Sequence, residues 1–319
     1  MTVFTATLDR MVFLFLFIGV GFLLGKIKFL PSGSEKILSK LENAVFIPAL
    51  VLGTFIDKCT PKTLSNMKWL LLFSFASLAV IIPLTLIVTR FITKDSYLRK
   101  IYTYGLCFAN FGFMGNAVME ALFPEMFFEY LVFTLPWWAL IYLWGVPALL
   151  LDNSDEGKEA SGTKKMLSRI KAFLNPMFIA MIIGAVIGLC GIGNYIPKGV
   201  TSAIKSAGDC MSPVAMILTG LTVANIDIKK VFKTPSIYAV TFLRLVVYPL
   251  LAVLIFTFVD IPKTYYICLL CGLAMPLGLN TIVVPGAYGK DTSVAAGMAV
   301  VSHVLSAITV PVIFLLFLS

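Results

Sequence analysis

The sequence has few charged side chains and few of the polar side chains that commonly transfer protons or bind metals. Its 319 residues include no glutamine and one histidine, and only 13% of them are charged. With 59% hydrophobic residues, the chain has too little polar surface to fold as a soluble globule. A single histidine and the lack of an HExxH segment leave no recognisable metal site or catalytic cluster. The composition therefore predicts an integral membrane protein that is not an enzyme and needs no metal or cofactor.

Ten stretches are long and apolar enough to cross a membrane, because about 20 helical residues span the ~30 Å hydrocarbon core. Numbered as spans 1 to 10, they cover residues 11–28, 37–56, 68–92, 98–123, 128–151, 174–195, 201–224, 236–259, 264–288 and 293–318. The only long polar stretch separates spans 5 and 6. We therefore expect an N-terminal half, 1-151, a cytoplasmic linker, 152-171, and a C-terminal half, 172-319.

The two halves share a pattern of glycine and proline. At an offset of 166 residues, five such positions coincide, where about one is expected by chance. The pairs are Gly25 with Gly191, Pro31 with Pro197, Gly33 with Gly199, Pro83 with Pro249 and Gly112 with Gly278. Since each half has an odd number of spans, the second half is inverted. The sequence predicts an all-α integral membrane protein with ten transmembrane helices in two inverted five-helix repeats, an arrangement typical of secondary transporters.

The net charge of +9 follows the membrane topology. Of the 25 lysines and arginines, 17 flank the spans on one side, seven flank them on the other, and Arg244 lies within span 8. They form no single basic patch, which argues against a nucleic-acid partner. Because the more basic side faces the cytoplasm, both termini are predicted to be extracellular, in a multi-pass protein of the cell membrane.

Spans 4 and 9 carry residues that interrupt helices at matching places in the two halves. The candidate substrate-binding residues are Asn110, Gly112, Gly115 and Asn116 in span 4, and Pro276, Gly278 and Asn280 in span 9. Glycine and proline weaken a helix, and a buried asparagine is costly unless it finds a partner. Two broken, crossing helices would direct half-helix N-termini and amide side chains at one point, which favours a bound anion. The alternative is a pair of ordinary kinks joined by asparagine hydrogen bonds.

Ionisable residues within spans are the other candidates for function. Glu42, Asp209 and His303 could couple transport to H⁺ or Na⁺, or they could be hydrogen-bonded packing residues. Arg244 is expected to pair with Asp209 or Glu120, and the alternative partner is an anionic substrate. The glycine pairs Gly21 and Gly25 in span 1, and Gly184 and Gly188 in span 6, predict close helix packing.

Several segments, in this order, resemble the auxin efflux carrier family, particularly its compact prokaryotic members. They are Leu41-ENAVFIPALVLGTF, Asn110-FGFMGN, Ser212-PVAMILTGLTVA, Arg244-LVVYPLL, Met275-PLGLNTIVVPGAYGKD and Val294-AAGMAVVSHVLSAITVPV. The resemblance implies scaffold helices 1, 2, 6 and 7, transport helices 3-5 and 8-10, a site where helices 4 and 9 cross, and a homodimer. It also implies elevator-type transport of a small organic anion such as a carboxylate.

One segment departs from that family. Where many members follow Gly-Phe-Met-Gly closely with proline, this chain has Gly115, Asn116 and Ala117. The break in span 4 must then depend on glycine and asparagine. The bile acid and sodium symporter family has a similar architecture and gives the alternative of a sodium-coupled organic anion symporter. Its sodium site requires glutamate, glutamine and asparagine, and this chain contains no glutamine. A channel is the remaining alternative.

Overall fold

The computed structural model describes residues 3–31, 33–151, 175–224, 234–287 and 290–318, and the predicted linker 152-171 lies outside these ranges. The described residues form helices and no β-strand. The helices are α1 Val3–Lys26, α2 Ser34–Lys58, α3 Pro61–Ile92, α4 Ser96–Cys107, α5 Asn116–Leu122, α6 Pro124–Leu150, α7 Pro176–Leu189, α8 Lys198–Ala224, α9 Pro235–Phe258, α10 Lys263–Ala274, α11 Asn280–Ala287 and α12 Ser293–Leu318.

Within the described ranges, seven helices are long and apolar enough to cross a membrane, namely α1, α2, α3, α6, α8, α9 and α12. The helices α7 and α10 are apolar but shorter. The helices α4 and α5 together occupy predicted span 4, and α10 and α11 together occupy predicted span 9. The protein is therefore an all-α membrane protein in which two predicted spans are interrupted.

The first helix begins earlier than the sequence predicts. It starts at Val3 and not at residue 11, because Arg10 lies inside the helix instead of ending it. The guanidinium of Arg10 donates from Nε to the carbonyl oxygen of Ala117 at 3.1 Å and from Nη2 to Ser212 Oγ at 3.2 Å. Arg10 misleadingly suggested that the helix begins after it. Its hydrogen-bond partners lie far away in the chain, so the sequence around Arg10 does not reveal them.

Several helices are irregular next to an internal proline, which cannot donate a backbone hydrogen bond, and α2 and α8 are two of them. A π-helical turn, Glu42–Phe46, immediately precedes Pro48 in α2. In α8 the helix is interrupted at Cys210, three residues before Pro213. These irregular turns lie where proline removes a donor from the helical hydrogen-bond pattern.

The predicted glycine seams are confirmed. An added Cβ at Gly21 would overlap the backbone of Ile217, so α1 lies directly against α8. At Gly184 it would lie 2.8 Å from Phe55 Cβ, and at Gly188 it would lie 2.6 Å from the carbonyl oxygen of Cys59, so α7 lies directly against α2. Small residues thus join two helices of the first half to two helices of the second half, as expected for close packing in lipid.

We predict that Gly21→Ala lowers the melting temperature of the detergent-solubilised protein by several degrees, because the methyl group overlaps the backbone of α8 and overpacking costs about 1–3 kcal/mol. The matched control is Gly19→Ala in the same helix, since an added Cβ there meets no atom within 4 Å. Equal melting temperatures for the two variants would contradict a close seam at Gly21.

Candidate functional site

The break between α4 and α5 begins at Phe108. The helix α4 ends at Cys107, Phe108 to Asn110 are not helical, and a π-helical turn, Phe111–Gly115, leads into α5. The carbonyl oxygen of Asn110 accepts hydrogen bonds from the backbone N–H groups of Met114 and Gly115, both at 3.0 Å. Asn110 therefore marks the start of the second helical segment.

The break between α10 and α11 crosses the first break. The helix α10 ends at Ala274 and α11 starts at Asn280. The N–H of Asn110 donates to the carbonyl oxygen of Pro276 at 2.8 Å, and Ala109 and Leu277 form an isolated antiparallel bridge. Asn110 and Pro276 are equivalent at the offset of 166 residues. The two breaks thus meet backbone to backbone, and this place is called the crossing.

Arg244 holds the crossing together. Its side chain is fully buried and donates from Nη1 to Leu106 at 2.8 Å, from Nη2 to Gly272 at 2.6 Å and from Nε to Met275 at 3.0 Å. All three acceptors are backbone carbonyl oxygens. The expectation that Arg244 pairs with Asp209 or Glu120 is therefore wrong, because carbonyl groups left free at two helix ends satisfy the guanidinium.

The charge at the crossing follows from these contacts. The C-terminal ends of α4 and α10 carry partial negative charge, and the Arg244 guanidinium compensates both. The N-terminal ends of the segments that start at Phe111 and Asn280 carry partial positive charge and lie at the same crossing. With the Arg244 charge compensated by carbonyl groups, the two positive helix ends at the crossing provide an electrostatic environment that favours an anion.

The three candidate asparagines have different surroundings. Asn110 is buried and its Nδ2 lies 3.1 Å from His303 Nε2. Asn280 donates from Nδ2 to the hydroxyl of Tyr104 at 2.9 Å. Asn116 is buried, and neither its Oδ1 nor the Oδ1 of Asn110 has a hydrogen-bond partner among the described residues. The structure therefore brings Asn110 to the crossing with an amide oxygen still available.

The candidate glycines allow close packing. An added Cβ at Gly112 would overlap the ring of Trp138, and at Gly115 it would overlap the hydroxyl of Tyr130. At Gly278 it would lie 2.9 Å from the carbonyl oxygen of Phe108. Sequence reasoning missed Trp138, Tyr130 and Tyr104, because an aromatic residue in an apolar span gives no signal that separates it from lipid-facing neighbours.

The three candidate coupling residues lie in different places. His303 on α12 contacts Asn110 at the crossing. Glu42 lies in the π-helical turn of α2, fully buried, and its two oxygens have no described hydrogen-bond partner. Asp209 on α8 is exposed and lines a large cavity. Of the three, His303 is the one for which the described residues show a hydrogen bond to a predicted substrate-binding residue. Among the described residues there is no cluster of three or more side chains suited to a metal ion.

A cavity of about 950 Å³ separates two groups of helices. Its walls come from α2, α7 and α8 on one side and from α5 and α6 on the other, and Asp57, Glu120 and Lys205 are among its charged residues. The rings of Phe55 and Phe128 meet edge to face at 5.1 Å beside it. Phe55 also lines a second, small pocket that contains Asn116 and Trp138. The aromatic pair therefore lies between the cavity and the residues next to the crossing.

Comparison with known proteins gives one result that covers almost the whole chain. A family model described as membrane transport protein matches residues 6–314. This is the auxin efflux carrier family whose motifs the sequence resembles, and it is a family of transporters and not of enzymes. No curated protein sequence matches the chain.

We predict that Arg244→Lys destabilises the protein by about 2–4 kcal/mol, because an ammonium group cannot reach three carbonyl oxygens arranged for a guanidinium fork. The measurement is the melting temperature in detergent. The matched control is Arg90→Lys at the exposed end of α3. A melting temperature unchanged in both variants would show that the three bonds of Arg244 do not stabilise the crossing.

Proposed function

Because the chain belongs to the membrane transport protein family of auxin efflux carriers, we propose that this membrane transporter carries a small organic anion, such as a carboxylate. The proposal rests on the positive potential that the helix N-termini create at the crossing. Two helix N-termini lie at the crossing, which the Arg244 guanidinium holds together, and the amide side chains of Asn110, Asn116 and Asn280 lie at or beside it. A carboxylate there would gain favourable electrostatic energy and directional hydrogen bonds.

We further propose that the chain crosses the membrane ten times as two inverted repeats. In this assignment α4 with α5 makes one crossing, α10 with α11 makes another, and the short α7 makes a third in addition to the seven long helices. The basic side faces the cytoplasm, so both termini are extracellular and the cell membrane is the location. The match of five glycine and proline positions between the halves supports this assignment.

The proposed mechanism is elevator-type alternating access. The scaffold is α1, α2, α7 and α8, and the transport part is α3 to α6 together with α9 to α12. The glycine contacts of Gly21 and Gly184 support the scaffold because they join its helices without side chains between them. The lining of the cavity between the two parts includes Lys58 and Lys198, which flank spans on the less basic side, and the cavity is therefore proposed to open outward. A homodimer through the scaffold belongs to the same proposal.

A second candidate function is a sodium-coupled organic anion symporter. It is favoured by one observation, the two buried amide oxygens of Asn110 and Asn116 that have no described partner. Oxygen atoms of this kind are ligands for hard cations. Stabilisation of the protein by a carboxylate only when sodium is present would support this function over an uncoupled or proton-coupled carrier. A channel differs from both in that its flux does not saturate.

We predict that a small carboxylate raises the melting temperature of the purified protein, since a ligand at 100 times its Kd stabilises the folded state by about 2.7 kcal/mol. The probes are indole-3-acetate, malate and malonate, with sugars and amino acids as comparison ligands. Asn110→Ala and Asn280→Ala should each remove the shift. Asn43→Ala is the matched control, because Asn43 is an exposed amide bonded only to Ser39 of its own helix. A shift that survives in both Asn110→Ala and Asn280→Ala would exclude the crossing as the binding site.

We also predict that cross-linking Phe55→Cys to Phe128→Cys with a short bismaleimide stops transport in proteoliposomes, because the pair joins the proposed scaffold to the proposed transport part. The exposed Cys190 and Cys210 are replaced by serine in the background. The control pair is Gly53→Cys with Ile204→Cys, which connects two scaffold helices in ordinary contact. Full transport by the cross-linked Phe55 and Phe128 pair would rule out movement between these two parts.

A further inference from the structure

The imidazole of His303 has a defined hydrogen-bonding pattern. It is buried on α12, and its Nδ1 lies 2.7 Å from the carbonyl oxygen of Ala299, one helical turn earlier. A carbonyl oxygen only accepts hydrogen bonds, so Nδ1 carries a hydrogen and donates it. In the neutral ring, Nε2 then has a lone pair and no hydrogen.

This hydrogen-bonding pattern determines the orientation of the Asn110 side-chain amide. Since Nε2 of neutral His303 accepts, the group that faces it at 3.1 Å must be the Nδ2 amide hydrogen of Asn110. The Oδ1 of Asn110 consequently points away from the histidine, and this buried oxygen has no described partner. With the ring neutral, Asn110 presents a hydrogen-bond acceptor on its other side, which does not suit a carboxylate.

The helices packed against α12 also carry other ionisable side chains. They include Arg10 on α1, Arg244 on α9, Tyr104 on α4 and Cys271 on α10. Arg244 is bonded to three carbonyl oxygens and Tyr104 to Asn280. Among the described residues, the ring nitrogens are hydrogen-bonded to Asn110 and Ala299 and not to any of these four.

We propose that His303 takes up one proton with each carboxylate that binds at the crossing, and that this proton reverses the amide of Asn110. A proton from water adds to Nε2, so both ring nitrogens donate. The Nε2–H then requires an acceptor, and a half-turn about the Cβ–Cγ bond of Asn110 supplies Oδ1. The same rotation turns the two Nδ2 hydrogens to the opposite side, where Oδ1 lay. Asn110 thereby changes from an acceptor to a donor toward the ligand.

The proton and the anion stabilise each other in this scheme. An isolated imidazolium is costly in a buried site, and so is an isolated carboxylate, but their charges compensate when both are present. By linkage, the anion strengthens proton binding by the same factor by which the proton strengthens anion binding. Because Asn110 is only 2% exposed, admission of a ligand also requires the packing around the crossing to open. The proposal makes the transporter a proton–carboxylate symporter and rests on the proposed function.

The test measures the Kd of indole-3-acetate, malate and malonate for the purified protein between pH 5.5 and 7.5, without sodium and then with it. For indole-3-acetate, which stays ionised over this range, uptake of one proton makes the apparent Kd rise about tenfold per pH unit. A pH indicator in weak buffer should report one proton taken up per anion bound. His303→Gln keeps an acceptor for Asn110 but cannot be protonated, so its Kd should be weak and independent of pH.

The matched control is Ser306→Ala, which removes a hydrogen bond to the carbonyl oxygen of His303 and leaves the ring intact. It should keep the wild-type slope and proton uptake. Wild-type binding that does not change with pH, a slope retained in His303→Gln, or binding that depends on sodium instead of protons would overturn the proton switch while leaving the anion carrier in place. No binding of any probe at any pH would overturn both proposals.

Discussion

The buried guanidinium of Arg244 is the interaction on which the crossing depends. Two helices end close together there, and their terminal carbonyl groups carry partial charges of the same sign. A guanidinium is planar and donates in several directions, so one side chain satisfies carbonyl groups from both helix ends. With the negative ends compensated, the positive ends of the two following helical segments determine the local potential. Structural support and the positive potential at the crossing thus have the same physical origin.

Part of this arrangement could be predicted from the sequence. Glycine, proline and asparagine at matching places correctly located both interruptions, because Pro276 lacks a backbone N–H and the Asn110 side chain competes for backbone hydrogen bonds. The partners of Arg244 could not be predicted, since backbone carbonyl groups are present at every residue and carry no sequence signal. The pairing of His303 with Asn110 spans 193 residues, and no local pattern encodes it. The early start of α1 was missed because Arg10 looked like a helix end.

The crossing combines fixed and adjustable groups. Gly112 and Gly115 lie tightly under aromatic side chains, and Arg244 uses its donors on backbone acceptors, so these groups set the geometry and have little freedom. The amide of Asn110 differs because its two ends have nearly the same shape and opposite hydrogen-bonding character. A reversal of that amide changes what the site recognises without moving the backbone. A transporter can in this way respond to its ligand while the charge framework stays intact.

The glycine seams have a consequence for biosynthesis. The helix α1 packs on α8 through Gly21, and α2 packs on α7 through Gly184 and Gly188, so these two helices find their partners only after α7 and α8 have been made. Until then their close-packing surfaces face lipid. The two halves of the sequence consequently depend on each other for these contacts. Either half produced alone would lack the neighbours that bury its seams, whereas both halves produced together in one cell could reassemble.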